Sequence, residues 1–307
     1  MTLVITTCTN RKRKRVSDGL RASAIPQAPI ADVATDWVAR VSAAVDLFPA
    51  RDVYGGRSFQ EALRAADLLA ARLLIVSAGL GFVWADTRVP PYACTVLADA
   101  PDSIASRIAG DYTAVAWWLA LGGASPFSQS LKAVVAATDG LICAALSETY
   151  IEMIADDLCA LPAKDLTRLR LFTRAQLNRV APTLRPFVMP YDDRLDGLDS
   201  PVRGTRGDFA GRALCHFAES IVSEGDTRPA AEHGAAVAAA LDGWRMPARF
   251  DRKRLDDASV LTLVREHWDA ERGSTARLLR HLRDGLGVAC EQGRFADLAR
   301  QVRGEKA

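Results

Sequence analysis

Metal-binding and redox motifs are missing from this chain. Its six cysteines (Cys8, Cys94, Cys143, Cys159, Cys215 and Cys290) are scattered without a CxxC pair, and no histidine stands at metal-ligand spacing. That excludes a zinc site and a disulfide framework and fits a reduced compartment; neither a metal nor a cofactor is expected. Long hydrophobic runs are also missing. The most apolar stretch, residues 114–121, is too short to span a bilayer, and the first residues run apolar and then basic, the reverse of a secretory signal. The expectation is a cytoplasmic protein without a membrane partner. There is little excess charge of either sign: 39 basic against 37 acidic side chains leave a net +2, so only local clusters can argue for nucleic acid. No Walker lysine motif occurs, and Ser77-Ala78-Gly79-Leu80-Gly81 lacks the third glycine of a dinucleotide fingerprint, which disfavours P-loop and ordinary NAD readings. All four histidines lie at or beyond His216, so a Ser-His or Cys-His nucleophile pair in the first part of the chain is not expected.

What remains is an ordinary globular balance, 49% hydrophobic and 25% charged over 307 residues, enough for one full domain and a smaller one. Leu3-Val4-Ile5-Thr6-Thr7 reads as a buried strand opening into a polar loop, and residues 17–35, without periodicity, read as a surface excursion. From Ser58 the apolar positions follow helical spacing, with Ser58 and Glu61 forming a capping box. Leu73-Leu74-Ile75-Val76-Ser77 and Gly140 through Leu146 read as buried strands, the second followed by a helix capped by Ser147; Leu169-Arg170-Leu171-Phe172-Thr173 is a further strand. Helical stretches between them make this an α/β, Rossmann-like parallel sheet with helices on both faces, residues 1–200. The Pro, Asp, Gly and Arg of residues 190–207 mark the boundary. Residues 201–307 read as an all-helical module, with a small wing at Ala248-Arg249-Phe250 as an option.

Ligands of parallel sheets sit at the carboxyl ends of the strands, so the strand-end segments map a site. They supply Thr7, Cys8, Arg11 and Lys12; Gly56, Arg57 and Ser58; Ser77, Gly79 and Gly81; and Ser147, Glu148 and Tyr150. Gly55-Gly56-Arg57-Ser58 offers free N–H groups at a helix start and a guanidinium that can grip a phosphate or carboxylate; an ordinary turn with a capping serine accounts for it equally well. Glu148, in the first turn of a helix facing the cleft, can act as base or nucleophile toward an anomeric carbon, against the commoner role of an acid stabilising the helix dipole. Asp86, Asp157 and Asp192 are weaker partners. The run Arg11-Lys12-Arg13-Lys14-Arg15 can bind phosphates, with a solvated loop as its default.

These segments, together with Pro90-Pro91-Tyr92, resemble in their order the peroxide-stress YaaA-like group and related Rossmannoid families. The resemblance covers residues 1–190. It implies a cleft lined by these motifs, Tyr54 and Tyr92 included, and a nucleotide-type ligand. The sequence departs from that pattern at Gly81, in the density of the basic run and in the helical last third.

The same helical reading makes residues 256–303 a helix-turn-helix-like unit. Val260, Val264 and Trp268 line one face; Leu278, Leu279 and Leu282 are buried by the next helix, whose opposite face presents Arg277, Arg280 and His281 to DNA or RNA; and Phe295, Leu298, Ala299 and Val302 complete the core. A packing module with solvated arginines fits the pattern as well, because Asp284 interrupts the patch. Two functional readings follow. One is an enzyme acting on a nucleotide or nucleoside at its N-glycosidic bond, with Glu148 as the key carboxylate, Arg57 and Arg11 on the phosphate, and a nucleic-acid-binding C-terminal module. The other is a non-catalytic nucleotide-sensing protein that binds nucleic acid.

Overall fold

Leu3, Val4 and Ile5 are consecutive and all fully buried, although alternate residues of a strand face opposite sides. Both faces of this strand are therefore covered, as the unbroken apolar run predicts. The computed structural model describes residues 1–98, 100–223, 225–248 and 251–306. Strand β1 (Leu3–Thr7) lies at the centre of a five-stranded sheet with β2 (Arg72–Ser77), β3 (Gly81–Trp84), β4 (Ile142–Ala145) and β5 (Leu169–Phe172), in the order β3-β2-β1-β4-β5. All neighbours are parallel except β2 and β3, which form an antiparallel pair. The register sets Thr6 level with Ala145, and Ala145 level with Phe172, so these strands end flush. The chain continues to one side of β1 through β2 and to the other through β4, which opens a crevice at their carboxyl ends.

Among the helices of the first unit are α1 (Ile30–Ser42), α2 (Arg57–Leu68), α3 (Ala114–Gly122), α4 (Glu148–Met153), α5 (Phe209–Ser220) and α6 (Ala230–Ala240). Three expectations are corrected. First, the compact unit runs from Met1 to Pro247, beyond the expected boundary near residue 200. The reason is that α5 packs on α2, β4 and β5, and buries Phe209, Leu214 and Phe217 in the same core as the sheet. Second, the excursion at 17–35 ends in α1, whose Val33, Ala34, Trp37 and Val41 are buried. Third, α2 starts earlier than Ser58: its N-cap is Gly56 at φ 100°, a conformation that favours glycine. Ser58 therefore makes no capping box, and Glu61 instead accepts from Arg57 Nε at 3.1 Å.

The second unit, Ala248–Ala307, carries α7 (Asp257–His267), α8 (Thr275–Arg280) and α9 (Gln292–Lys306). Its core holds the residues read from periodicity: Val260, Val264, Trp268, Leu278, Leu279, Leu282, Phe295, Leu298, Ala299 and Val302. It is helical but not all-helical, because Lys253–Arg254 pairs in parallel with Val288–Ala289. Of the expected wing, Arg249 and Phe250 lie outside the described residues. No helix is long and apolar enough to cross a membrane among the described residues.

Candidate functional site

Three strand ends and three helix starts surround a cleft of about 590 Å³. Thr7 ends β1, Ser147 and Glu148 follow β4, and Arg174, Gln176 and Arg179 follow β5. Ser58 comes from the first turn of α2, and Arg206, Gly207 and Phe209 lead into α5. The size is that of a small-molecule site. Three guanidinium groups and one carboxylate line it, and they differ in how they are held. Arg174 donates to Asp196 at 3.0 Å and to Asp193, and stands 5.3 Å from the Phe209 ring centre. Arg179 donates to Glu148 at 3.0 Å and pairs with Glu152 at 2.8 Å, contacts that hold its own pKa up. Arg206 is exposed and has no carboxylate or hydrogen-bond partner among the described residues. Ser147 takes the N-cap position of α4 without a side-chain capping bond.

The strand-end motifs divide between this cleft and a second, buried cluster. Cys8 Sγ lies 3.1 Å from the Tyr150 hydroxyl and accepts the Ala78 N–H at 3.4 Å. Ser77 Oγ accepts from the N–H groups of Gly79 (3.4 Å) and Leu80 (3.0 Å). It also sits 2.5 Å from the Tyr92 hydroxyl, which is 3.0 Å from that of Tyr54. Lys12 donates to Thr9 O and places its ammonium 5.2 and 4.8 Å from the Tyr54 and Tyr92 ring centres. Burial lowers the Lys12 pKa and raises those of Tyr54, Tyr92 and Tyr150, keeping the phenols protonated. Gly79 leaves room for Tyr92, since a Cβ there would lie 2.6 Å from its ring.

Between a backbone contact to a nucleotide and a tight turn, the two readings open to residues 77–81, this packing has the character of the turn. The amides of Ala78, Gly79 and Leu80 are all engaged internally, and the indoles of Trp37 and Trp117 each donate at 2.7 Å, to the carbonyls of Gly79 and Ala78. Gly81, at φ 83°, turns the chain into β3 against Ser128. Arg57 and Arg11 are exposed and outside the cleft lining, the former on Glu61. The weaker carboxylates are occupied elsewhere: Asp86 by Arg51, Asp157 by the Trp118 indole at 2.7 Å, and Asp192 by Arg194.

Sequence reasoning missed Arg174, Arg179 and Arg206. The rule that gave Glu148 applies to the residues after β5, so the first two were within reach; Arg206 stands in the segment that marks the expected boundary. In the second unit Arg277 and Arg280 are exposed on α8 without partners among the described residues. His281 does not join them. Its ring packs 4.5 Å from that of His267, centre to centre, with Nδ1 3.8 Å from Glu271. Among the described residues no group of three or more His, Cys, Asp or Glu side chains could hold a metal ion. No protein-family model, curated protein or solved structure matches the chain.

Proposed function

We propose that the first unit, a Rossmann-like domain of YaaA-like character, binds a nucleotide or nucleoside in the cleft and acts on its N-glycosidic bond. The observation that carries this reading is the meeting of Glu148 with three guanidinium groups in a cleft of nucleotide-compatible size at the ends of parallel strands. Arg206, without a carboxylate of its own, takes the phosphate, and Arg179 joins it by exchanging Glu148 for the ligand anion. The Glu148 carboxylate then accepts a proton from water as the water oxygen bonds to the anomeric carbon; the C–N electron pair departs with the base, which takes up the proton that Glu148 gives back through solvent, returning the carboxylate to its starting state. The second unit contacts nucleic acid through Arg277 and Arg280.

The test is incubation of the purified chain with a panel of nucleotides and nucleosides, with mass detection of bound and released species. The expected result is a released base with wild type, and binding without turnover by Glu148→Gln, whose amide keeps the shape but cannot act as base or nucleophile. The ion pair of Glu148 with Arg179 favours a second reading, a nucleotide sensor without turnover; a ligand that binds and is returned unchanged by wild type selects it. Absence of any binding overturns both.

A further inference from the structure

A second cavity in the first unit, also of about 590 Å³, shares no lining residue with the cleft. It lies where the chain leaves α1. Ala43 and Ala44 follow the helix, and Leu20, Phe48 and Pro91 give the cavity an apolar wall. Its cations come from the basic run. Arg13 N–H donates to Val53 O and Gly55 N–H to Arg11 O, so residues 11–13 are fixed along 53–55, with Lys12 drawn into the tyrosine cluster. Beyond that pairing the chain bends, and Lys14 and Arg15 reach the cavity rim.

Like Arg206 at the cleft, these two cations are left free for a ligand. Lys14 rests its ammonium 5.0 Å from the Phe48 ring centre, and neither it nor Arg15 has a carboxylate or hydrogen-bond partner among the described residues. The third cation of the lining, Arg40, is held by Asp36 at 2.9 and 3.1 Å. The lining also carries one exposed carboxylate, Asp46, which pairs with none of the three cations; an apolar wall under two unpaired cations, set against that single acid, is complementary to a ligand that carries an apolar body and an anionic group. The body displaces water from Leu20, Phe48 and Pro91, surfaces that hold water poorly, and the anion gives Lys14 and Arg15 the charged acceptors they lack.

We propose that this cavity is a binding site for a small aromatic anion, a carboxylate or sulfonate on an apolar ring system, with Lys14 and Arg15 holding the anion and Phe48 the ring. The inference is independent of the chemistry proposed for the cleft. The experiment titrates the full chain with anilinonaphthalene sulfonate, followed by fluorescence, and with uncharged N-phenylnaphthylamine as comparison. Saturable binding of the sulfonate is expected. Lys14→Glu with Arg15→Glu weakens it by roughly tenfold or more, the scale of one lost charge-assisted contact, and leaves the neutral dye unaffected. Ala44→Trp fills the half-buried rim and blocks both dyes. Absence of saturable binding, equal sulfonate affinity in the charge-reversed variant, or undiminished binding with Ala44→Trp overturns the proposal.

Discussion

Arg57 and Arg206 are both exposed guanidinium groups close to a helix start, and their neighbours separate them. Arg57 bends along α2 to Glu61, one turn on, whereas Arg206 lines the cleft with nothing to pair with among the described residues. Arg206→Ala is therefore expected to weaken a phosphate-bearing ligand by roughly 1.5–3 kcal/mol, the scale of a charge-assisted hydrogen bond, while Arg57→Ala leaves affinity unchanged; calorimetry with the same ligand on both variants decides. A second expectation at this scale concerns acid. His216, 2.8 Å from the Tyr191 hydroxyl, and His233, accepting from Arg170 Nε at 2.7 Å, are buried in the core, and burial lowers the pKa of both. In the unfolded chain these imidazoles take up protons from about pH 6.5 downward, which the native state resists. Their contribution to stability is thus complete above that pH and declines below it. Asp226 acts in the same direction further down: burial raises its carboxyl pKa, but Arg228 and His233 outweigh that and hold it well below the usual range. A urea midpoint that falls between about pH 7.5 and 5.5, and falls less in His233→Gln, is the expected result; a midpoint constant with pH refutes it.

At the scale of elements, the cleft depends on how closely α2 and α5 cross. Gly211 lies against the backbone of Ser58, so close that a Cβ there would meet the Ser58 carbonyl well inside van der Waals contact. The crossing sets Ser58 beside Phe209 and Ala210 at the cleft wall. Gly211→Ala forces the helices apart and is expected to cost about 1–3 kcal/mol of stability, as overpacking does, seen as a lowered thermal midpoint, and to weaken ligand binding with it. An unchanged midpoint shows that the crossing relaxes without cost. The same contact explains what the sequence could and could not reveal. Strands with both faces buried, such as Leu3 through Ile5, are legible because continuous apolar runs have no other use. Glu148, Ser147 and Thr7 follow from them through the strand-end rule. The partner of a helix is different: Phe209, Ala213 and Phe217 reveal a buried face but not what buries it, so α5 was assigned to the wrong unit and Arg206 with it. Burial of Tyr54, Tyr92 and Ser77 was equally hidden, because polar side chains that satisfy one another at 2.5–3.0 Å carry no periodic signature.

At the scale of the whole molecule, the charge pattern of the second unit bears on what it can bind. Five of its cations are neutralised within it: Arg252 pairs with Asp284, Arg265 with Glu305, Arg294 with Asp257, Arg300 with Asp297 and Lys306 with Asp269. Asp284, which interrupts the arginine patch in the sequence, is thereby occupied by Arg252 at 2.8 Å. Arg277 and Arg280 remain exposed on α8, three residues apart and therefore on one side of the helix. An anion that approaches this helix meets two charges that no carboxylate of the described residues competes for. Phosphate contacts of that kind release counterions, so binding to DNA or RNA should weaken steeply with salt, and removal of two such contacts should lower the slope of log K against log salt by about 2. The measurement uses the intact chain, wild type against Arg277→Glu with Arg280→Glu, on DNA and on RNA at two salt concentrations. Weaker binding and a shallower slope in the variant are expected. Because both side chains are exposed and unpaired, the reversal leaves the core of Val264, Leu278 and Leu298 untouched, and unchanged thermal unfolding of the variant verifies this. If wild type shows no salt-dependent binding, or the reversal leaves it unaltered, α8 is a packing helix with solvated arginines and the second unit does not read nucleic acid.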